Sequence, residues 1–176
     1  MLTYTPHIYK MFEFIAADVQ SAAGVAIHYE HGHPLEIVNT IKGMGKTPAY
    51  DPLKYPLIAL FHPFEEKKGT ADRVQSEVSL NIIIATLTKP DLVAERRLQC
   101  NYIPILYPIY DLFITSVQKC GYFFLNPNEI PSHTKTDQMY WGKSGLYGSE
   151  GNIFGDHIDA IEIQNLELKI KKANCI

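Results

Sequence analysis

The chain contains 176 residues, of which 46% are hydrophobic and 20% are charged. This length fits one domain spanning residues 1–176, and the hydrophobic share excludes a disordered or collagen-like chain. The formal net charge of −3 disfavours a protein dedicated to gripping nucleic-acid phosphates. No apolar run approaches the roughly 20 residues that a membrane-spanning helix needs, so we expect no membrane partner.

The N-terminal part of the sequence predicts a helix, a strand and a second helix. Apolar residues recur at helical spacing over residues 6–23, and Gly24 suits the position just after a helix end. Residues 25–30 alternate like a short strand. Residues 34–41 fit either the second strand of a hairpin or a short helix, and the helix is favoured because the apolar side chains share one helical face.

Two apolar strands follow in the middle of the chain. Residues 55–61 (YPLIALF) form a compact apolar run that indicates a central strand. Residues 77–87 (EVSLNIIIATL) alternate, with one fully apolar face and a second face that is polar at one end and apolar at the other. The charged stretch at 65–73 lies between them. The pattern predicts a long antiparallel hairpin with a charged tip.

Helical signals return over residues 90–119. Pro104 removes one hydrogen bond of a helix interior at a cost of about 3 kcal/mol, so we expect a separate helix from about 104 to 119. The chain closes with a strand over residues 158–170, whose apolar phase slips by one residue near Gln164 and Asn165. The slip predicts a β-bulge, or else a change of face where the strand leaves its first partner.

Residues 122–157 form a long segment rich in Asn, Pro, Gly, Ser and aromatic residues. Its aromatic side chains include Tyr140, Trp141, Tyr147 and Phe154, which suit either a lid over the domain's own core or an interface with another protein. The summed elements predict an α+β domain. We expect a mostly antiparallel four-stranded sheet with helices packed on one face, and this aromatic, glycine-rich loop before the last strand.

Two groups contain residue types that bind transition metals: His28, His31 and His33, and later Asp156, His157 and Asp159. An HxH pair on a strand places both imidazoles on one face. Gly32 and Pro34 instead indicate that the first group lies in a turn, and neither an HExxH motif nor a Cys/His quartet accompanies either group. We therefore expect neither a metal nor a cofactor.

The sequence lacks the common motifs of nucleotide binding and nucleophilic catalysis. Residues 43–47 (GMGKT) look like the end of a P-loop, but the glycine spacing is wrong and Pro48 prevents the helix that must follow. No GxSxG motif is present, and Cys100 and Cys120 fall on predicted helices, where a buried, inert thiol is usual. An odd number of cysteines without a CxxC pair indicates reduced thiols in a cytoplasmic protein.

The carboxylates near the hairpin tip are not predicted to bind a metal. Basic side chains neutralise the acidic residues of the stretch 65–77 nearly one for one, which is typical of a solvated tip. The aromatic residues of the long loop are the stronger candidates for an interface, because interface cores are enriched in aromatic side chains.

The order of the elements resembles that of tail-terminator (tail-completion) proteins of tailed bacteriophages. That order is a helix, a strand, the YPLIALF strand beginning at Tyr55-Pro56, a charged tip, the EVSLNIIIATL strand, Pro90-Asp91, an amphipathic helix and a final strand. The resemblance covers about residues 25–120 and 158–170. Members of that family are small α+β subunits that form a ring, typically a hexamer, closing the tail tube at the neck. The resemblance implies a structural protein without enzymatic activity or catalytic residues.

The resemblance also implies the partners and the location of the protein. We expect a homo-oligomer, as a hexameric ring in the virion neck or tail, assembled in the host cytoplasm. The ring would contact the tail tube protein on one side and head–tail connector or adaptor proteins on the other, with genome DNA passing through the lumen without sequence-specific binding. The tip would project toward the lumen or the adjoining ring through Glu65, Glu66, Lys67, Lys68 and Arg73.

Rival hypotheses stay open at this point. The segment 122–157 is longer than a minimal terminator needs, which suits another head–tail adaptor or a monomeric module that binds a partner protein through residues 140–154. A small metal-dependent enzyme, such as a nuclease, requires the two His and Asp groups to meet in space and bind a metal.

Overall fold

A computed structural model describes residues 6–68, 73–126, 129–139 and 156–172. Within these residues, three helices pack against one six-stranded sheet in an α+β arrangement. The first two helices are α1 (Ile8–Ala23) and α2 (Pro34–Met44), and the third is continuous from α3 (Ala94–Arg97) through a π-helical segment (Leu98–Leu106) to α4 (Tyr107–Lys119). The strands are β1 (His28–Gly32), β2 (Leu57–Phe61), β3 (Glu65–Lys68), β4 (Val74–Leu87), β5 (Thr134–Gln138) and β6 (Ile158–Lys171).

The sheet is mixed and mostly antiparallel. Its strand order is β1-β2-β4-β6-β5, and β3 pairs with β4 beyond the end of β2. β1 runs parallel to β2 because α2 carries the chain back across the sheet between them, whereas the other pairs are antiparallel. The long strands β4 and β6 form the central pair.

The predicted sheet of four strands was two strands too small. The missed strands are β3, with the sequence EEKK, and β5, with the sequence TKTDQ. Neither has an apolar residue, so hydrophobic alternation cannot reveal them. The predicted hairpin is confirmed, since β2 and β3 both pair with β4, and β5 falls within the stretch that we expected to be an irregular loop.

Helices cover both faces of the sheet, and the expectation of helices on one face was wrong. α1, the π-helical segment and α4 pack on one face, against side chains that include Leu60, Ile82 and Ile163. α2 packs on the other face, against Leu57, Ala59, Ile83, Ala85, Ile158 and Ala160. All five residues of β2 are therefore buried. The apolar end of the second face of β4 is the part that α2 covers.

The first two helices confirm their predictions. α1 ends at Gly24, whose φ of 68° lies in the left-handed region and whose N–H donates to the Gln20 carbonyl at 3.0 Å. At the start of α2, Nδ1 of His33 accepts from the Leu35 N–H at 3.2 Å. The Glu36 carboxylate accepts from the His33 N–H, also at 3.2 Å. These caps satisfy backbone donors that a helix start leaves unpaired.

The expectation that Pro104 separates two helices was wrong. Pro104 lies inside the π-helical segment of one continuous helix, and the Tyr107 N–H donates to the carbonyl of Tyr102, five residues back. The wider turn relieves the conflict between a proline ring and the preceding turn of an α-helix. It also leaves two consecutive residues, Asn101 and Tyr102, buried on the sheet side.

The predicted β-bulge is confirmed in β6. Leu80 of β4 pairs with Leu166, and Ile82 pairs with Ile163, so β6 contains one extra residue between these pairs. Asn165 adopts a φ of 53° within the bulge. The extra residue keeps Ile163 and Leu166 in the same core cluster although their spacing is odd.

Candidate functional site

The hairpin arm is the end of the sheet that extends beyond α2. It consists of β3, residues 74–81 of β4 and residues 164–171 of β6. One face of the arm contributes Val78, Leu80 and Leu168 to the core beneath α1 and α4. The opposite face, called the open face below, presents exposed side chains and no member of the core cluster beneath α2.

The pairing register arranges the open face into two rows of side chains. In one row Glu77 stands between Lys67 and Lys169 on the neighbouring strands. In the next row Ser79 stands between Glu65 and Glu167. One row therefore reads positive, negative, positive, and the other negative, neutral, negative, which places opposite charges two residues apart along each outer strand.

The charges of the open face contribute little to the stability of the fold. The Lys169 ammonium lies 3.1 Å from the Glu77 carboxylate, but both side chains are at least half exposed. Such solvent-exposed ion pairs contribute about 0.2–1 kcal/mol. The open face thus carries a defined pattern of charges that the stability of the core does not require.

The helix-facing side of β3 holds Glu66 and Lys68. The Lys68 ammonium contacts the Glu66 carboxylate at 2.6 Å. Partial burial would raise the pKa of Glu66, but the hydrogen bond from Lys68 and the charge of its ammonium outweigh this effect and lower the pKa below its ordinary value. Because the two opposite charges satisfy each other, this side of the arm offers less free charge than the open face.

A groove of about 360 Å³ runs along the open face, and a wall formed by residues 124–125 and 129–132 bounds it. Four carboxylates and two ammonium groups line it: Glu65, Glu77, Glu129, Glu167, Lys67 and Lys169. Phe124 and Leu125 add apolar surface on the wall. The groove therefore combines charge with a small apolar side, as interface rims and cores do.

The structure places one of the two predicted interface groups. Glu65, Glu66, Lys67 and Lys68 form β3, and Arg73 precedes β4, with all five residues exposed on the arm. The aromatic group of Tyr140, Trp141, Tyr147 and Phe154 lies outside the described residues. The sequence did not reveal Glu167 and Lys169, because their place beside Glu77 and Ser79 depends on a strand pairing about 90 residues away in the chain.

The two candidate metal groups do not converge in the described part of the chain. His28 contacts Glu30 at 3.2 Å, His31 lies among aromatic rings, and His33 caps α2. In the second group, Asp156 contacts the Lys54 ammonium at 3.0 Å. Among residues 6–68, 73–126, 129–139 and 156–172, no group of three or more His, Cys, Asp or Glu side chains is arranged to hold a metal ion.

Asp159 belongs to a buried polar network that the sequence did not suggest. The Arg97 guanidinium contacts the Asp159 carboxylate at 3.0 Å, and Nδ2 of Asn101 donates to the same carboxylate at 2.6 Å. Both also donate to the Thr88 hydroxyl, at 2.7 and 3.0 Å. The sequence signal was only an Arg and an Asp in separate elements, which does not indicate a pair.

The two described cysteines differ in exposure. Cys120 is half-buried, and burial raises the pKa of its thiol, as we expect of an inert structural cysteine. Cys100 is exposed on the π-helical segment, so the expectation that it is buried was wrong. Its position on the outer side follows from the wider turn, which directs Asn101 and Tyr102 inward instead.

Comparison with models of protein families finds no match to this chain, and a search of curated proteins finds no significant match either. Within the described residues, none of the helices combines the length and apolar character needed to cross a membrane.

Proposed function

We propose that this chain is a structural subunit of a tailed-bacteriophage neck, most specifically a tail terminator. In this role it assembles into a ring that closes the tail tube and joins it to the head connector. The observation that carries the proposal is the hairpin arm, whose open face is exposed and charged while its other face is fixed to the core. The resemblance in element order supplies the class of protein.

A ring requires two different surfaces on each subunit. Contacts between unlike surfaces repeat around a rotation axis and close into a ring when the rotation fits. The arm offers one surface at one end of the sheet. In the described residues β1 and β5 are the two edge strands, and β1 is parallel to its neighbour whereas β5 is antiparallel, so the two edges of the sheet differ from each other. This asymmetry supports head-to-tail assembly.

The composition suits the proposed partners. A net charge of −3 does not favour tight contact with DNA phosphates, so genome DNA passes a lumen of such subunits without sequence-specific binding. The partners are then the tail tube protein, the connector or adaptor proteins and other copies of the chain, in a hexameric ring like that of the family that it resembles. The ring is assembled in the host cytoplasm and resides in the virion.

The open face provides a specific test of the proposal. Lys67→Glu turns the positive, negative, positive row into a negative, negative, positive row and places a second carboxylate directly beside Glu77. We expect this variant to weaken assembly or binding to tail tubes about tenfold or more, because like charges facing each other across an interface cost several kcal/mol. Light-scattering mass and co-sedimentation with tail tubes measure the two effects.

Lys46→Glu is the matched control, since Lys46 is exposed in the loop after α2 and the change in net charge is the same. The proposal predicts that this variant assembles and binds tubes like the unaltered chain. Equal behaviour of both variants would remove the open face from the interface. If the unaltered chain stays monomeric and does not bind tail tubes, the result favours the hypothesis of a monomeric adaptor. If it contains bound metal in stoichiometric amount, the result favours the hypothesis of a metal-dependent enzyme.

A further inference from the structure

A row of five rings joins the start of α1 to the edge of the sheet. Tyr9 stacks on His31 with ring centroids 4.8 Å apart, and His31 lies 5.8 Å from His62. His62 meets Phe64 edge to face at 4.7 Å. His7 stacks on Tyr9 at 5.5 Å. This row, called the ring stack below, connects three segments that are far apart in the sequence.

Hydrogen bonds fix the same junction. The Tyr29 hydroxyl donates to the Tyr9 carbonyl at 2.9 Å, which ties the first turn of α1 to β1. The His62 N–H donates to the Gly32 carbonyl at 2.9 Å, which ties the corner after β2 to the end of β1. The ring stack and these hydrogen bonds therefore hold the first turn of α1, the end of β1 and the corner after β2 at one junction.

His62 is held in a setting that favours its neutral form. Its Nε2 atom is buried and has no hydrogen-bond partner among the described residues. Burial lowers the pKa of His62 below its ordinary value, and the neighbouring His31 lowers it further, while Glu36 acts in the opposite direction. A buried base that is kept neutral stabilises the fold above its ordinary pKa and loses that contribution as the pH falls.

We propose that the ring stack is an acid-sensitive latch, in which neutral His62 holds the first turn of α1 against the sheet edge through its neighbours in the stack, and protonation of His62 releases it. A protonated His62 would carry a buried Nε2–H that has no acceptor among the described residues, which disfavours the charged imidazole in the folded chain. Release frees the first turn of α1 and opens the adjoining cavity of about 430 Å³.

The other charged and titratable groups around the stack do not cancel this effect. Glu66 and Lys68, which line the same cavity from β3, pair with each other at 2.6 Å. Glu36 already accepts a hydrogen bond from the His33 backbone at the start of α2. The groups that face the stack from its surrounding elements are His7 and Tyr9 from α1 and its cap, Tyr29 from β1, Glu36 from α2, and Glu66 and Lys68 from β3.

Hydrogen exchange of the full chain tests the latch at individual amides. The N–H groups of Lys10 and Met11 donate to the His7 carbonyl and report on the first turn, while the Cys120 N–H reports on the end of α4. Between about pH 7.5 and about pH 5, we expect the protection factors of the first two to fall about tenfold or more relative to that of Cys120. Protection factors remove the intrinsic pH dependence of exchange.

Two variants assign the pH dependence to the stack. His62→Phe keeps a ring beside Phe64 but cannot be protonated, and we expect its first turn to stay protected at low pH. His28→Gln is the control. His28 lies on β1, like His31, but contacts Glu30 outside the stack, so this variant should behave like the unaltered chain. If His62→Phe does not fold, His62→Leu provides the same test. The proposal is overturned if the unaltered chain shows no loss of protection, or if the folded His62 variant loses it equally.

Discussion

Arg97 is the residue that ties the third helix to the centre of the sheet. Its guanidinium donates to the Thr88 hydroxyl, the Asp159 carboxylate and the carbonyls of Lys89 and Leu92, at distances from 2.7 to 3.0 Å. Asp159 is completely buried. A buried carboxylate is tolerated when its partners satisfy it, so the energetic role of Arg97 is to keep Asp159 paired.

Replacing Arg97 should therefore destabilise the protein strongly. We expect Arg97→Ala to lower the free energy of unfolding by about 3–5 kcal/mol, because it leaves the Asp159 charge buried without its main partner. The neighbouring Arg96 is exposed, and Arg96→Ala should change the same quantity by less than about 0.5 kcal/mol. Urea denaturation of both variants measures the difference, and equal losses would refute this role of Arg97.

The β-bulge in β6 was predicted from the sequence and is present in the structure at the predicted place. The apolar phase slip at Gln164 and Asn165 corresponds to the extra residue between the Leu166 and Ile163 pairs. The backbone N–H of Asn165 donates to the Asn81 side chain at 3.1 Å, and its φ of 53° is a conformation that Asn adopts more readily than branched residues. Asn165 therefore suits the bulge through its backbone.

Substitution at Asn165 tests that conformational requirement. Asn165→Val should lower the free energy of unfolding by about 1–2 kcal/mol, because a β-branched residue is strained at positive φ, whereas Asn165→Gly should be nearly neutral. The control is Asn39→Val on the exposed side of α2, where Asn and Val have similar helix propensities. A loss at position 39 as large as at 165 would mean that φ is not the cause.

The elements that the sequence predicted and those that it missed differ in one physical respect. α1, α2 and β4 bury a periodic apolar face, and β2 is a continuous apolar run that is buried on both sides; both patterns are visible in the sequence. β3 and β5 are polar and form because a long neighbour offers unpaired backbone groups. The π-helical segment was missed for a similar reason, since it depends on burying Asn101 beside Asp159, a contact between distant residues.

At the scale of the whole molecule, the sheet has a covered end and an open end. Where α2 packs, both faces are apolar and buried, and the central strands hold the fold together. Beyond α2, the arm keeps one face in the core and leaves the other charged. In this arrangement the buried residues determine stability and the open face is available for binding, so we expect substitutions on the open face to leave the core intact.

The candidate site was predictable in part from the sequence. The charged run at 65–73 marked the position of the arm, since four consecutive charged side chains rarely lie in a core. The two rows of alternating charge were not predictable, because they combine Lys67, Glu77 and Lys169 from three strands through pairing registers that only the folded chain defines. The element order suggested the proposed class of protein, but it did not indicate which residues form the interface.

Negative-stain electron microscopy of tail-tube ends tests the central claim most directly. The purified full chain would be imaged at high concentration, alone and mixed with tail tubes from the virion to which the proposal assigns it. We predict rings of the chain, or added density capping one end of each tube, because subunits that are monomeric alone can still assemble on the tube. Small single particles together with bare tube ends in the mixture would contradict the assignment as a neck subunit.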